Sequence, residues 1–341
     1  MPSLSAESKR RAMPRDLSLT GPAVAERFQP GFMTLCAAIA VIALTFADWR
    51  EMAHQWWDID TYSHILLVPP IIAWLVWLRR DELGKVPIAG WWPGLAWTLL
   101  GLATWLAGRH FAINTMAQGG AVIALQGAVF AILGLRAGLI LAFPVAYLFV
   151  LIPFGGEFIP PLQVITAEIA TALTRLSGIE TIAEGIHIDT PAGLFIVAEE
   201  CSGVKFLIAM LALGVLVAHS RFASWTRRLW FLLACLVVPI IANGIRAWAT
   251  IYLAQYVGAE AAGSLDHIVY GWVFFGLVIA LVLGFAWRWF ERDPEEAGWS
   301  AEEVDTMPLV RRLEARRMSP ALAFAAVLAA ALVFAVLARL V

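Results

Sequence analysis

The sequence predicts an all-α polytopic integral membrane protein with about nine transmembrane helices. Of its 341 residues, 61% are hydrophobic and 15% are charged, proportions far from those of a soluble globular domain. The formal net charge of -2 gives no sign of nucleic-acid binding. The 16 tryptophans suit the aromatic belts that form at membrane interfaces. Partners are therefore expected in or at the lipid bilayer.

Nine apolar runs approach or reach the roughly 17–25 residues that a helical span requires. The first follows a polar, basic arm at residues 1–30. We interpret it as a retained helix, because no small-residue cleavage site follows it. The predicted spans are 31–47, 62–78, 91–108, 111–135, 137–153, 202–218, 229–252, 268–287 and 320–340.

Lysine and arginine collect on one side of these spans. With the N-terminus inside, 18 of the 24 basic residues fall in inner segments, as the positive-inside rule requires. The C-terminus and the segment 154–200 are then outside. This orientation predicts a cytoplasmic basic arm (1–30), a transmembrane domain (31–290), a charged cytoplasmic linker (291–319) and a C-terminal transmembrane helix (320–341).

The outer segment 154–200, between the fifth and sixth predicted helices, is too long for a simple turn. Its first part, PLQVITAEIATALTRLSG, has apolar residues at helical spacing and ends at Gly178, a residue favoured after a helix C-terminus. We expect an amphipathic helix there, on the outer interface. The second part, IETIAEGIHIDTPAGLFIVAEE, has apolar residues on either side of a turn cluster, which predicts a short β-hairpin. The hairpin would lead the chain to Cys201.

Cys201, Arg246 and His267 lie at the outer ends of three successive predicted helices. The distance of each residue from the cytoplasmic side is counted along its helix, from the histidine or arginine that marks the cytoplasmic end of that helix. At about 1.5 Å per residue, the separation is about 27 Å for Cys201 and Arg246 and about 31 Å for His267. The three side chains therefore share one depth and can converge on one site.

A thiol, a guanidinium and an imidazole supply what thiol-based acyl transfer needs. Cys201 would be the nucleophile, because a helix N-terminus and a nearby cation favour the thiolate. His267 would be the general acid and base. Arg246 would hold the oxyanion or the scissile carbonyl, since it is a permanent cation with several donors.

The residues alone leave other interpretations open. A lone cysteine at a helix start is more often a packing residue, and an arginine at the end of a span is usually an anchor to the interface. Asn243, three residues before Arg246, either orients the guanidinium or joins helices as a polar contact. Cys36 and Cys235 lie too far inside to reach Cys201, so Cys201 is expected to form no disulfide. The four other outer histidines, His54, His64, His110 and His187, cannot be rejected as the base by depth.

Three segments carry a more specific resemblance. ECSGVKFL at 200–207, VPIIANGIRAWATIYL at 238–253 and DHIVYGWVFF at 266–275 resemble, in this order on consecutive helices, the signature of the exosortases. The resemblance implies that Cys201, Arg246 and His267 are the catalytic cysteine, arginine and histidine. The stretch DIDTYSHILLVPPIIAWLVWLRR also resembles the family's first outer loop and the helix after it, with His64 in a usual place. The resemblance covers roughly residues 31–290.

The resemblance implies a cysteine peptidase and transpeptidase of the bacterial inner membrane, with its active site facing the periplasm. Its substrates would be exported proteins that end in a PEP-CTERM sorting signal, which comprises a Pro-Glu-Pro motif, a transmembrane helix and a basic tail. Such enzymes are thought to cut near the motif and to pass the protein to an acceptor, often in bacteria that make exopolysaccharide and biofilm. The exopolysaccharide machinery is then a further candidate partner. No metal or organic cofactor is expected, because Cys201 and the outer histidines lack close ligand spacing.

Two other classes of function remain open on the sequence. A transporter or flippase of envelope precursors would use ionisable groups and broken helices near the midplane, often in inverted repeats. Here the ionisable groups cluster at the outer interface and no repeat is evident, although Asn114, Gln118 and Gln126 offer polar groups within one span. A catalytically silent scaffold for polysaccharide assembly would keep most of the same motif.

Overall fold

The computed structural model describes residues 22–265 and 273–340. The described chain is mostly helical, with a few short strands, so the predicted α-helical class is confirmed. The α-helices are α1 (Pro22–Leu44), α2 (Phe46–Asp58), α3 (Val68–Leu78), α4 (Arg80–Leu83), α5 (Trp92–His110), α6 (Asn114–Ile140), α7 (Ala142–Tyr147), α8 (Ile159–Leu176), α9 (Val204–Arg221), α10 (Trp225–Val257), α11 (Ala259–Leu265), α12 (Phe275–Ala286), α13 (Ala301–Thr306), α14 (Pro308–Leu313) and α15 (Pro320–Leu337). The strands are β1 (Gly90–Trp91), β2 (Ile182–Glu184), β3 (His187–Thr190), β4 (Gly193–Ile196) and β5 (Arg317–Met318).

Within the described residues, five helices are long and apolar enough to cross a membrane, or up to seven if two bent pairs each count as one span. The five are Asp60–Leu78, Asn114–Ile140, Glu199–Arg221, Trp225–Val257 and Pro320–Leu337. The bent pairs are Gln29–Leu44 with Phe46–Asp58, and Ala142–Leu151 with Gly156–Leu176. A multi-pass membrane protein is therefore supported, whereas the count of nine is not confirmed.

The two remaining predicted spans differ from the five for identifiable reasons. Helix α5 coincides with the span predicted at 91–108. Its tryptophans and glycines lower its mean hydropathy. The helical stretch Phe275–Trp289 is shorter than a span. The first part of the span predicted at 268–287 lies outside the described residues.

Helices α5 and α6 form a hairpin whose backbones lie unusually close together. Gly94, Gly101 and Gly108 recur every seven residues on α5, and a Cβ built on any of them would lie 2.2–2.3 Å from a backbone nitrogen of α6. The facing residues of α6 are Ala131, Ala124 and Ala117. Small residues allow this approach in membrane helices, where packing replaces the hydrophobic effect as the main source of association. This hairpin supports the rest of the bundle.

The predicted amphipathic helix and β-hairpin are both present between α7 and α9. Helix α8 ends as expected, because Gly178 has a φ of +78° and the N–H of Ile179 donates to the carbonyl of Thr174 at 3.3 Å. The predicted hairpin is β3 paired with β4, and β2 adds a third antiparallel strand. The stripe of α8 that is buried against the protein is formed by Leu162, Thr166, Ala167, Ala170, Thr171 and Thr174.

The charged segment 291–319 folds against the end of the bundle that is predicted to be cytoplasmic. Strand β5 pairs with β1, and Val304 and Val310 join a buried cluster at the end of α6. Arg136 of α6 forms an ion pair with Asp305 at 2.7 Å and another with Glu314. The segment that was expected to be a linker therefore helps to fix the ends of the spans.

Candidate active site

Cys201 lies at the entry to α9, as the sequence predicts. It ends a 3₁₀ turn, Glu199–Cys201, and its backbone N–H donates to the carbonyl of Ala198 at 3.0 Å. Gly203 then adopts a φ of +81° as the residue before α9, a conformation that glycine reaches without steric cost. The Cys201 side chain is half-buried, while Glu199 and Glu200 are exposed. The thiol thus lies beside the N-terminal end of a candidate membrane span.

Asn243 of α10 ties the cysteine turn to two helices. Its Nδ2 donates to the carbonyl of Cys201 at 2.7 Å and to the hydroxyl of Thr166 on α8 at 3.0 Å. A Cβ on Gly203 would come within 2.7–2.9 Å of the Asn243 side chain, so the amide fits closely over the turn. Of the two roles considered for Asn243, these contacts favour the polar link between helices.

Arg246 lies on α10, one turn after Asn243, and is almost completely buried, with 6% of its surface exposed. Its guanidinium carbon lies 5.8 Å from the ring centroid of Phe206, in the first turn of α9. Arg246 and Asn243 therefore both lie where the second half of α10 packs against the start of α9, which Cys201 precedes. A buried guanidinium there is a strong source of positive potential, because little water screens it.

His64 lies in the 3₁₀ helix Asp60–Leu67 that precedes α3. It lines a cavity of about 440 Å³ together with Lys205 and Phe206, which follow Cys201 by four and five residues. Lys205 forms an ion pair with Asp60 at 2.6 Å, which holds this segment against the start of α9. The Nε2 of His64 is buried and has no hydrogen-bond partner among the described residues.

The other predicted histidines divide into two groups. His267 falls at 266–272, outside the described residues, so its position relative to Cys201 stays a prediction. His54 pairs with Asp58 at 3.3 Å, His110 packs edge-on against Phe111, and His187 lies on β3; all three are exposed.

The remaining cysteines occupy other parts of the bundle. All three cysteines of the sequence are in thiol form, with Cys36 in α1 and Cys235 buried in the first half of α10. Cys235 precedes Arg246 by eleven residues, or about 16 Å along the helix. Cys36 and Cys235 are thus suitable as control thiols.

Two polar residues of α8 were missed by the sequence reasoning. Gln163 donates to the carbonyl of Val197 at 2.7 Å, and the Thr166 hydroxyl donates to the carbonyl of Ser202 at 3.4 Å as well as accepting from Asn243. Both bonds hold the chain on either side of Cys201. The signal was their spacing, since a stripe of polar and small residues on an otherwise apolar helix indicates a face that packs on protein.

One polar group that a transporter could use has a structural partner. Gln126 of α6 is buried, and its Nε2 donates to the carbonyl of Val145 on α7 at 2.9 Å. This bond joins two neighbouring helices, as is common for amides within membrane proteins.

The fold and this site define a polytopic membrane protein. Its candidate site places the Cys201 turn, the Asn243 amide and the Arg246 guanidinium where α10 packs against the start of α9. The sequence model of the transmembrane exosortases matches residues 56–284, about two thirds of the chain. The chain belongs to the transmembrane exosortase family. No curated protein and no solved structure matches it.

Proposed function

We propose that this exosortase-family protein is a cysteine peptidase and transpeptidase that cleaves the C-terminal PEP-CTERM signal of exported proteins. The observation that carries the proposal is the contact of α10 with the start of α9, where Asn243 donates to the Cys201 carbonyl at 2.7 Å and Arg246 is buried one helical turn away. Family membership gives the chemistry its general class. The products would be linked to exopolysaccharide and biofilm.

In the proposed reaction, the Cys201 thiolate attacks the scissile carbonyl carbon to give a tetrahedral oxyanion. Arg246 stabilises that oxyanion, and the C–N bond then breaks as His267 gives a proton to the leaving amine. The thioester that remains on Cys201 is attacked by an acceptor nucleophile or by water, and the thiol is regenerated. Asn243 keeps the nucleophile in place by holding its backbone carbonyl.

The outer end of the substrate's transmembrane helix would pack against the cavity lined by His64, which has room for a few side chains. The polar end of this cavity holds His64 and the Asp60–Lys205 ion pair, while the remainder is lined by apolar side chains such as Leu67 and Leu213. A helix placed there would have its apolar body along α3 and α9. Its juxtamembrane peptide would then lie beside the start of α9, where Cys201 is.

The proposed location is the bacterial inner membrane with Cys201 towards the periplasm. This orientation follows from the 18 of 24 basic residues that the predicted topology places inside. The same rule would keep the basic tail of a substrate in the cytoplasm.

The proposal is tested by co-expressing a tagged PEP-CTERM substrate with the wild-type chain and with Cys201→Ala, Arg246→Gln and His267→Ala. We expect each variant to leave the substrate uncut, and the matched control Cys36→Ala to process it as the wild type does. Immunoblotting of substrate and product provides the readout, with the membrane level of each variant measured in parallel. Normal processing by a well-expressed Cys201→Ala protein would overturn the assignment of the nucleophile.

A further inference from the structure

A second polar cavity lies at the opposite end of the bundle from Cys201. It has a volume of about 430 Å³ and is lined by both apolar and basic residues. It lies where several spans end or begin: Leu78 ends one span, Ile140 another, and Trp225 begins a third. The turn at 294–299 lines its remaining side. This is the end that the charge distribution predicts to be cytoplasmic.

Three arginines line this cavity, against the single carboxylate of Glu303. Arg79 donates to the carbonyls of Glu295 and Trp299, and Arg292 donates to the carbonyl of His219. Each guanidinium has five N–H donors, so these bonds use only part of its capacity.

The third arginine, Arg228, is held near the other two. Its Nε donates to the carbonyl of Phe222 at 2.8 Å, and its guanidinium carbon lies 4.8 Å from the ring centroid of Trp225. It lies close enough to Arg292 for the two guanidiniums to repel each other. The cavity thus concentrates like charge.

The carboxylates near the cavity have other partners. Glu303 accepts from the backbone N–H of Ser300 at 2.8 Å as part of a capping box. Glu291 accepts from the N–H groups of Ala223 and Ser224 and pairs with Arg227. Glu82 and Glu296 also act on Arg79 and Arg292 from outside the lining, and they have partners in the N–H of Ala301 with Lys85 and in the N–H of Asp293. Among the residues that line the cavity, the three arginines therefore outnumber the one carboxylate.

Burial makes this charge costly to leave unbalanced. Arg79 is 6% exposed, and the Nε atoms of Arg79 and Arg292 are buried without a hydrogen-bond partner among the described residues. Burial lowers the pKa of Arg79. The pKa of Arg292 is also lowered, mainly by burial and to a smaller extent by repulsion from Arg228. A bound anion would restore the solvation that these two groups lack.

The surroundings of the cavity point to a lipid as the source of that anion. Trp225 and Trp299 line the cavity and are exposed, and Leu78 is partly exposed, so the acyl chains of a lipid would leave the cavity on this side. Exposed tryptophans mark the membrane interface at this level. They are Trp77, Trp225, Trp230, Trp287 and Trp289.

We propose that this cavity binds the phosphate of an anionic phospholipid of the cytoplasmic leaflet, with Arg79, Arg228 and Arg292 around the headgroup. Basic pockets between transmembrane helices on the cytoplasmic side suit such headgroups, and arginine suits phosphate oxygens because it can donate two parallel bonds. The bound lipid would join the ends of the spans to the folded segment that follows α12.

The test is native mass spectrometry of the purified full chain in detergent, titrated with palmitoyl-oleoyl phosphatidylglycerol or with the phosphatidylcholine of the same acyl chains. We expect one tightly held phosphatidylglycerol molecule, and a preference over phosphatidylcholine of about fivefold or more for each contributing arginine. The double variant Arg228→Gln and Arg292→Gln should lower that preference by about 25-fold or more, which leaves the share of Arg79. The charge-matched control, Arg312→Gln with Arg316→Gln, changes two exposed arginines outside the cavity and should keep it.

A second variant has the opposite expected sign and guards against loss of folding as an explanation. Glu303→Gln keeps the capping box but removes the only carboxylate among the lining residues, so the affinity for phosphatidylglycerol should rise severalfold. The proposal is overturned by equal affinity for the two lipids in the wild type, by a preference that the Arg228 and Arg292 double variant leaves unchanged, or by an unchanged affinity in Glu303→Gln. Displacement of the lipid by millimolar inorganic phosphate would also contradict it, since the ligand would then be a soluble anion. None of these measurements depends on peptidase activity.

Discussion

The two ends of the bundle each bury an arginine to the same extent, with Arg246 and Arg79 both 6% exposed. Arg246 lies near the Cys201 turn, in contact with an aromatic ring and one turn from an amide that holds the cysteine carbonyl. Arg79 lies among other arginines and donates to two carbonyls of the segment after α12. Burial of an arginine in a membrane protein therefore does not define its role. The groups around it do.

The two ends should differ most in how far activity falls when the buried arginine is replaced by lysine. Arg246→Lys keeps the charge but loses the planar donor array, and we expect processing to fall at least about 100-fold. Arg79→Lys should lower the thermal midpoint but leave the activity of each folded molecule within about twofold of the wild type, because it lies far from the proposed chemistry. Processing rates normalised to folded protein check both values. Equal losses in the two variants would contradict the division of roles.

A smaller effect is expected when the amide beside Cys201 is removed. Asn243→Leu leaves the Cys201 carbonyl and the Thr166 hydroxyl without this donor, and we expect activity to fall about 10- to 100-fold, as for loss of a positioning contact. Thr166→Val removes one of the same bonds, so the double variant should be less impaired than the product of the two single effects. A double-mutant cycle on the rate of thioester formation measures this coupling. Strict additivity would show that the two residues act separately.

The two ends also contain glycines with positive φ that can be compared directly. Gly203 has a φ of +81° beside Asn243, and Gly298 has a φ of +100° beside Arg79. Alanine at either position should cost about 1–3 kcal/mol of stability through backbone strain. Only Gly203→Ala should also slow the reaction of the folded enzyme, because its Cβ would displace the Asn243 side chain. Thermal unfolding and single-turnover rates separate the two contributions.

The smallest effect concerns pH and only the end of the bundle that contains Arg79. The backbone N–H of Ala301, and then Lys85, hold the pKa of Glu82 below its usual value. A depressed pKa means that Glu82 contributes stability above its unfolded pKa of about 4.3 and loses it as the pH falls through the lower folded value. Glu82→Gln should therefore cost about 1 kcal/mol near neutral pH. Its thermal midpoint should converge on that of the wild type in acid, and a constant difference at all pH values would contradict this assignment.

The sequence predicted the elements around the site better than it predicted their packing. Periodicity and turn residues were sufficient for α8, for the hairpin and for the placement of Cys201 before α9, because these depend on local preferences. The links made by Thr166 and Gln163 were missed, since a single hydroxyl or amide on a helix does not indicate which loop it will contact. The count of nine spans is not confirmed, and apolar runs alone did not reveal the bend of 84° between α1 and α2.

The cavity lined by Arg79, Arg228 and Arg292 could not be predicted from the sequence. Arg79, Arg228 and Arg292 are far apart in the sequence. Their approach to one another depends on how the segment 291–319 folds under the spans, which is a long-range contact. Composition described that segment only as charged.

The most direct test of the proposed chemistry is to detect a thioester on Cys201. Purified wild-type and Cys201→Ala proteins would be incubated with a PEP-CTERM substrate, and the peptide that contains position 201 would be analysed by mass spectrometry before and after hydroxylamine. The mechanism predicts a hydroxylamine-sensitive adduct with the mass of the N-terminal substrate fragment, present only in the wild type. Cleavage at the wild-type rate by Cys201→Ala, with no adduct on the wild-type thiol, would contradict it.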